Sequence, residues 1–382
     1  VSWRASTRRP RRSVASRCTI RPRRSISAER RFESLLRKPV FARWIETVGP
    51  ERARQVVADR VRIVEGALGD LGPEPNRLDL VLHAASSVNF DDPIDRAFAT
   101  NVSGVARLYQ ALLDAGADPH VVHVSTAYVN AARKGLVTET RVEHDVDWRQ
   151  EEQAALAARE GVDERSRRPD RLRQFLREAQ QAVGKVGPQA VAEATEAARR
   201  AWVDEQLVEH GRARAQSLGW TDAYTFTKAL AERVAEELWL GTGHRLSVIR
   251  PSIIESALRH PQPGWIDGFK VADPLILAYG RGQLPEFPGL PDSVLDIVPV
   301  DFVVNAMLAA AATPAPRDGA RYFHMGSGAT NPLPFHQMYD SIRSYFLQHP
   351  IPGANGPTSV PPWQFPGGVR FVPLESVRDA GD

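Results

Sequence analysis

The chain has 382 residues, 42% of them hydrophobic and 25% charged, proportions that suit one large α/β domain with a smaller attachment. A single cysteine, Cys18, excludes a disulfide framework and a cysteine-based zinc site; no metal is expected, and the setting reads as a reducing cytoplasm. The net charge of +3 is unevenly placed, because residues 1–32 carry eleven arginines against Glu29, a local +10 that leaves the remainder at −7. Basic groups gathered at one end, with no basic face elsewhere, exclude a nucleic-acid binder.

Residues 1–17 are Arg- and Ser-rich without apolar periodicity, a composition shared by transit peptides and by misplaced starts. A β/α alternation follows. Cys18 to Arg21 is a short strand candidate and Ala28 to about Val48 is helical. Val61 to Val64 and Leu78 to Leu82 are apolar strands, the second expected to be buried and ending in His83-Ala84-Ala85-Ser86. A helix over about Pro93 to Ala115 precedes the strand Val121 to Val124, which ends in Ser125-Thr126. Residues 141–219 are charged, Ala-rich and helical in pattern, with breaks at Gly161, Pro169 and Gly184–Pro188, and read as a solvated insertion or cap. A helix around Tyr224 to Leu240 leads to the strand Leu246 to Ile249, and Asp301 stands as an N-cap for a helix over Phe302 to Ala312. Short apolar strands separated by amphipathic helices predict a doubly wound parallel sheet, Rossmann-like in class.

The expected organisation is a tail (1–17), a dinucleotide-binding half (18–140), the helical insertion (141–219), the catalytic helix with the last core strands and a substrate-side region (220–332), and a partly disordered C-terminal segment (333–382). The longest apolar run, Val294 to Ala312, is interrupted by Asp296 and Asp301, so no span is expected, though attachment to a membrane surface stays open.

The chemistry concentrates at Tyr224-Thr225-Phe226-Thr227-Lys228, where Tyr and Lys share one helical face. A carbonyl accepting hydride needs a proton on its oxygen, and an ammonium beside the phenol is expected to draw the phenol's high pKa down. Ser125 and Thr126 follow a strand directly, where ligands of open α/β sheets sit, and either hydroxyl suits a carbonyl oxygen. The small residues Ala84, Ala85 and Ser86 allow close approach of a dinucleotide; His83 reads as a packed strand residue, and Asn101 as a tie between neighbouring loops. Gly66, Gly69 and Gly72 have the spacing of a dinucleotide loop, but Pro73-Glu74-Pro75-Asn76 and a strand follow, so no helix N-terminus faces a pyrophosphate there.

The segments 84–90, 124–130, 224–228 and 250–255, with Asn101, Pro263-Gly264-Trp265-Ile266 and Val298-Pro299-Val300-Asp301, resemble the fatty acyl-CoA reductases. The likeness is to the alcohol-forming bacterial enzymes, a thioester-reductase branch of the extended short-chain dehydrogenases, over about Arg21 to Asn331. It implies NADPH, long-chain acyl-CoA substrates, and catalysis by Ser125 or Thr126, Tyr224 and Lys228. It also implies that Arg21 meets the 2′-phosphate of NADP, that Ala84, Ala85, Ser86, Asn101, Tyr224, Lys228, Pro251, Ser252 and Ile253 line the cofactor, and that Trp265 and the insertion cover the acyl chain. The family opens with a strand and a T-G-x-x-G-F-x-G loop, replaced here by residues 1–17, and continues past Asn331 with a helical domain, so a truncated member is expected. The same residues accommodate a reductase that stops at aldehyde, another extended dehydrogenase, or an inert remnant that only binds acyl ligands or a membrane surface.

Overall fold

A computed structural model describes residues 16–22, 26–133, 135–268, 272–281, 286–288, 290–351 and 370–372. Most of the arginine-rich tail and much of the segment after residue 351 lie outside the described residues. In chain order the elements are β1 (Ser16–Ile20), α1 (Ala28–Leu36), α2 (Pro39–Val48), α3 (Pro50–Arg60), β2 (Val61–Glu65), β3 (Leu80–His83), α4 (Ile94–Asn101), α5 (Ser103–Asp114) and β4 (His120–Val124). Then come α6 (Trp148–Ser166), α7 (Pro169–Val183), α8 (Pro188–Ser217), α9 (Ala223–Leu238), β5 (Leu246–Pro251), β6 (Ile253–Glu255), α10 (Asp273–Gly280), β7 (Glu286–Pro288), β8 (Val294–Leu295) and β9 (Ile297–Pro299). The chain closes with α11 (Val300–Ala312), β10 (Arg321–Met325), β11 (Leu333–Pro334), α12 (Phe335–Gln348) and β12 (Arg370–Val372). They fall into two compact units, residues 1–250 with 306–324, and residues 251–305 with 325–382.

The first unit is an α/β fold with parallel strands, the class the sequence predicts. β1 and β2 form one parallel pair, and β10, β5, β4 and β3 form a second sheet in that order, with β3, β4 and β5 mutually parallel. Each crossover between parallel strands runs through helices, as the handedness of such units requires. β3 is not the buried strand expected: it is the last in its sheet among the described residues, and Leu80 and Leu82 are 36% and 45% exposed. A strand with a neighbour on one side only leaves a row of its backbone groups unpaired and lacks the flanking side chains that would pack beside its own.

The insertion is also more integrated than its composition suggests. Pro169 and Gly184–Pro188 end helices as expected, but Gly161 lies inside α6. Trp148, Ala155, Val162, Val203, Leu207 and Ala215 of α6 and α8 join the same core as Phe98, Tyr109, Phe226, Leu230 and Val248. This explains why α9 is buried from Thr225 through Glu236: the strands cover one side and α4, α5, α6 and α8 pack around the rest. Closeness at the crossing depends on Gly211, where a Cβ would stand 3.0 Å from the Ile94 Cβ and 3.4 Å from that of Ala223.

In the second unit β6 pairs with β9 and β7 with β12, both parallel, while β8 and β11 are antiparallel. Tyr279 of α10 and Phe346 of α12 form a small core with Ile276, Tyr339, Ile342 and Ile351. Asp301 is not an N-cap, because α11 begins at Val300; its carboxylate instead accepts the amides of Leu258, Arg259 and His260 at 3.0–3.2 Å. Burial raises its pKa, and those amides more than reverse the effect. No described helix is long and apolar enough to cross a membrane.

Gly211→Val forces two or more methyl groups into the contact with Ile94 and Ala223; urea denaturation should show a loss of about 1–3 kcal/mol. Unchanged stability would mean that α8 does not need this close approach.

Candidate active site

The site is built where α9 meets the carboxyl end of β4. Asp222 caps α9 by accepting the Thr225 amide at 2.8 Å, which sets Tyr224 in the first turn. One turn on, the Lys228 ammonium donates to the Val124 carbonyl at 2.6 Å, the last residue of β4. The Tyr224 phenol and the Thr126 side chain are hydrogen-bonded to each other. Both partners of the helical pair thus reach the same strand end, as their four-residue spacing requires. Ser125, between Val124 and Thr126, is buried and its hydroxyl has no hydrogen-bond partner among the described residues.

A second tie fixes the loop after β3. Asn101 accepts the Ser87 amide at 2.8 Å, donates to the Ser87 carbonyl at 3.3 Å, and donates to the Thr227 hydroxyl at 3.1 Å. This is the loop-tying role expected of it, extended to α9 through Thr227. Ser87 and Asn89 in turn bond to the Asp92 carboxylate, so the loop is closed on itself. Phe90, at its tip, meets the Tyr224 ring edge-on at 5.2 Å and is half exposed.

The electrostatics differ from expectation in one respect. The Tyr224 phenol is pushed up, not down: burial raises its pKa, the Thr126 bond opposes this, and Asp222 adds to the rise. The phenol here is bonded to a neutral hydroxyl while the ammonium is committed to Val124. Burial also pushes Lys228 down to about 8, against the pull of the Glu232 carboxylate. Next to it, His83 and His123 meet edge to face at 5.0 Å, and burial followed by repulsion from Lys228 lowers His83 to about 3. Both imidazoles are therefore neutral at ordinary pH, which fits His83 as a packed strand residue.

Ala84, Ala85 and Ser86 lie in the same post-β3 segment as Ser87. Arg21 is exposed just after β1, its carbonyl accepting from Arg31. Gly66–Gly72 is followed by a single 3-10 turn at Pro75–Arg77 and then by β3, with no α-helix between, as expected. Pro251, Ser252, Ile253 and Trp265 belong to the second unit. There the Ser252 amide donates to the Met325 carbonyl at 2.9 Å while its buried hydroxyl has no hydrogen-bond partner among the described residues, and Ile253 pairs with Ile297. Trp265 closes a turn, accepting the Ala257 amide on its carbonyl at 2.8 Å. No group of three His, Cys, Asp or Glu side chains among the described residues is placed to hold a metal ion.

Two contributors escaped the sequence reading. Phe90 carries no local signal. Glu232 does, because Tyr224, Lys228, Glu232 and Glu236 recur every four residues along α9, a stripe that the Tyr/Lys pair alone conceals.

Residues 9–307 match an NAD-binding family described as Male sterility protein. Putative fatty acyl-CoA reductase 7 of Arabidopsis thaliana is 30% identical over 324 residues, covering 80% of this chain and 72% of that protein. The chain belongs to the fatty acyl-CoA reductase family. Probable fatty acyl-CoA reductase 4 of the same plant is 30% identical over 345 residues, 86% of this chain and 64% of that protein. Human fatty acyl-CoA reductase 2 is 26% identical over 87% of this chain and 56% of its own length. The chain thus spans about half to two-thirds of the length of most of these reductases. Among solved structures, the terminal R domain of the myxalamid biosynthetic pathway has a TM-score of 0.53 at 15% identity, covering 95% of this chain and 66% of that one. A thiolation-reductase di-domain from an archaeal non-ribosomal peptide synthetase has the same TM-score at 14% identity. These two share the fold.

Replacing Asn101 by Ala leaves the Ser87 amide and the Thr227 hydroxyl without this partner in a buried place. A loss of about 1–3 kcal/mol in urea unfolding is expected; a value near zero would remove Asn101 as the tie.

Proposed function

We propose that this fatty acyl-CoA reductase uses NADPH to reduce long-chain acyl-CoA thioesters to the aldehyde and then to the alcohol, in the cytoplasm and with a peripheral approach to membrane lipid. The observation that carries the reading is the convergence of Tyr224, Lys228, Ser125 and Thr126 at the end of β4 in a member of this family. The names of its relatives, fatty acyl-CoA reductases and an alcohol-forming one from Simmondsia chinensis, support the substrate class and the alcohol product.

The residues present fit the nicotinamide–ribose end of the cofactor: Ser125 has a buried hydroxyl with no hydrogen-bond partner among the described residues, and Lys228, one helical turn after Tyr224, carries a buried ammonium. Lys228 and Tyr224 would hold that end, with Asn101 fixing the helix and the loop beside it; by the family resemblance Ala84, Ala85, Ser86, Pro251, Ser252 and Ile253 are assigned to the cofactor, with Arg21 as the partner for a 2′-phosphate. When bound, NADPH supplies hydride to the acyl carbon.

The chain's own groups handle the oxygen. The phenol of Tyr224 donates to the carbonyl oxygen as negative charge develops there, and Ser125 or Thr126 shares that oxygen and holds its direction. The raised pKa of the phenol keeps its proton in place for donation; a cation one helical turn away would favour the phenolate left behind. Collapse of the thiohemiacetal expels CoA thiolate and gives the aldehyde, on which the same groups act again. In this reading the family resemblance assigns Trp265 to the acyl chain.

Tyr224→Phe keeps the ring packed on Phe90 but removes the proton donor; palmitoyl-CoA-dependent NADPH oxidation should fall about 10²–10⁴-fold. Equal rates in both proteins would sink the assignment. Because Lys228 is pushed down to about 8, its ammonium is full below that pH and lost above it, so kcat/KM should decline on the alkaline side from about pH 8. A profile flat to pH 10 would show that the ammonium is not required.

A further inference from the structure

We infer that Glu232, clamped by Arg250 one helical turn beyond Lys228, is the positioning residue that holds a negative charge beside the Lys228 ammonium. The inference rests on the active-site reading above, but its geometry stands apart from it. Glu232 lies one turn beyond Lys228 on the same face of α9, and it is 1% exposed. Arg250, at the carboxyl end of β5, is fully buried and grips both carboxylate oxygens, Nε to Oε1 at 3.0 Å and Nη2 to Oε2 at 2.7 Å. Such a fork fixes the carboxylate in direction as well as in place.

Arg250 is itself held from three other sides. It donates to the Thr140 carbonyl at 2.8 Å, sits 3.2 Å from His324 Nε2, and lies over the Tyr322 ring at 4.6 Å. His324 is anchored in turn, its amide donating to the Glu139 carboxylate. A fully buried ion pair that only stabilised the fold would be a poor choice, since well-packed apolar residues serve as well or better. What apolar residues cannot do is set the charge of a buried neighbour.

Lys228 needs that help. Its surroundings supply His83 from β3 and His123 from β4, both neutral, the phenol of Tyr224 from its own helix, and the Val124 carbonyl. Glu232 is the group that favours the ammonium against burial. Glu236, a further turn along, is raised to about 7 by burial, accepts from Tyr322 at 2.6 Å, faces Arg141 at 3.0 Å and Arg233 at 3.8 Å, and stands two turns from Lys228, where Glu232 stands one.

The chain has only five lysines, so selective lysine labelling allows the Lys228 side chain to be followed by NMR through a pH titration, its signal identified by its absence in Lys228→Arg. Glu232→Gln should move the Lys228 midpoint down by about one unit or more, while Glu232→Asp, which keeps the charge, should stay near the wild-type value. Should Glu232→Gln fail to fold because Arg250 is left unpaired, the double variant Glu232→Gln/Arg250→Gln removes the carboxylate without orphaning a cation and should show a downward shift as well. Coincident midpoints in wild type and in a folded variant lacking the carboxylate would overturn the inference. The titration needs neither cofactor nor turnover, so it separates this claim from the reductase assignment. In active protein, the alkaline limb of kcat/KM should move down with the Lys228 midpoint in Glu232→Gln and stay in place in Glu232→Asp; a limb that moves equally in both would also count against it.

Discussion

The hydrogen bond from Lys228 to the Val124 carbonyl joins the helix that carries Tyr224 to the strand that runs into Ser125 and Thr126. Parallel strands of this fold end together on one side, and side chains from a following helix reach that side only if the helix is held at the right height and rotation. A slip of one residue along α9 would rotate Tyr224 by about 100° away from Thr126. The arrangement therefore needs restraints at several heights, and it has them: Asn101 to Thr227, Lys228 to Val124, and Arg250 to Glu232.

These restraints are polar and buried, which is costly unless every group is matched. Here the exceptions are informative. Among the described residues of the first unit, the strand-end hydroxyl of Ser125 has no partner, and beside it Lys228 keeps its charge in a setting that disfavours it. The Ser125 hydroxyl is one such exception at the strand end; His120 Nδ1, His123 Nε2 and the Asn130 amide nitrogen are others among the described residues. The helical insertion packs α6 and α8 into the same core as α9, and at Gly211 an added Cβ would stand 3.4 Å from the Ala223 Cβ.

The spacing of Tyr224 and Lys228, the strand-end position of Ser125 and Thr126, and the β/α rhythm were legible in the sequence because each depends on local periodicity, and helical and strand periods are properties of adjacent residues. The membership in a reductase family was legible for the same reason, as short motifs at fixed places. What tertiary structure alone decided is everything that depends on residues far apart in the chain. It exposed Leu80 and Leu82 by making β3 an outer strand, turned a polar-looking insertion into core, moved Asp301 from a cap to an acceptor of a distant loop's amides, and brought Arg250 onto Glu232. It also reversed the expected shift of Tyr224, since a pKa follows from burial and from which group stands nearest in space. Sequence spacing sets which side chains share a face; only packing sets what that face meets.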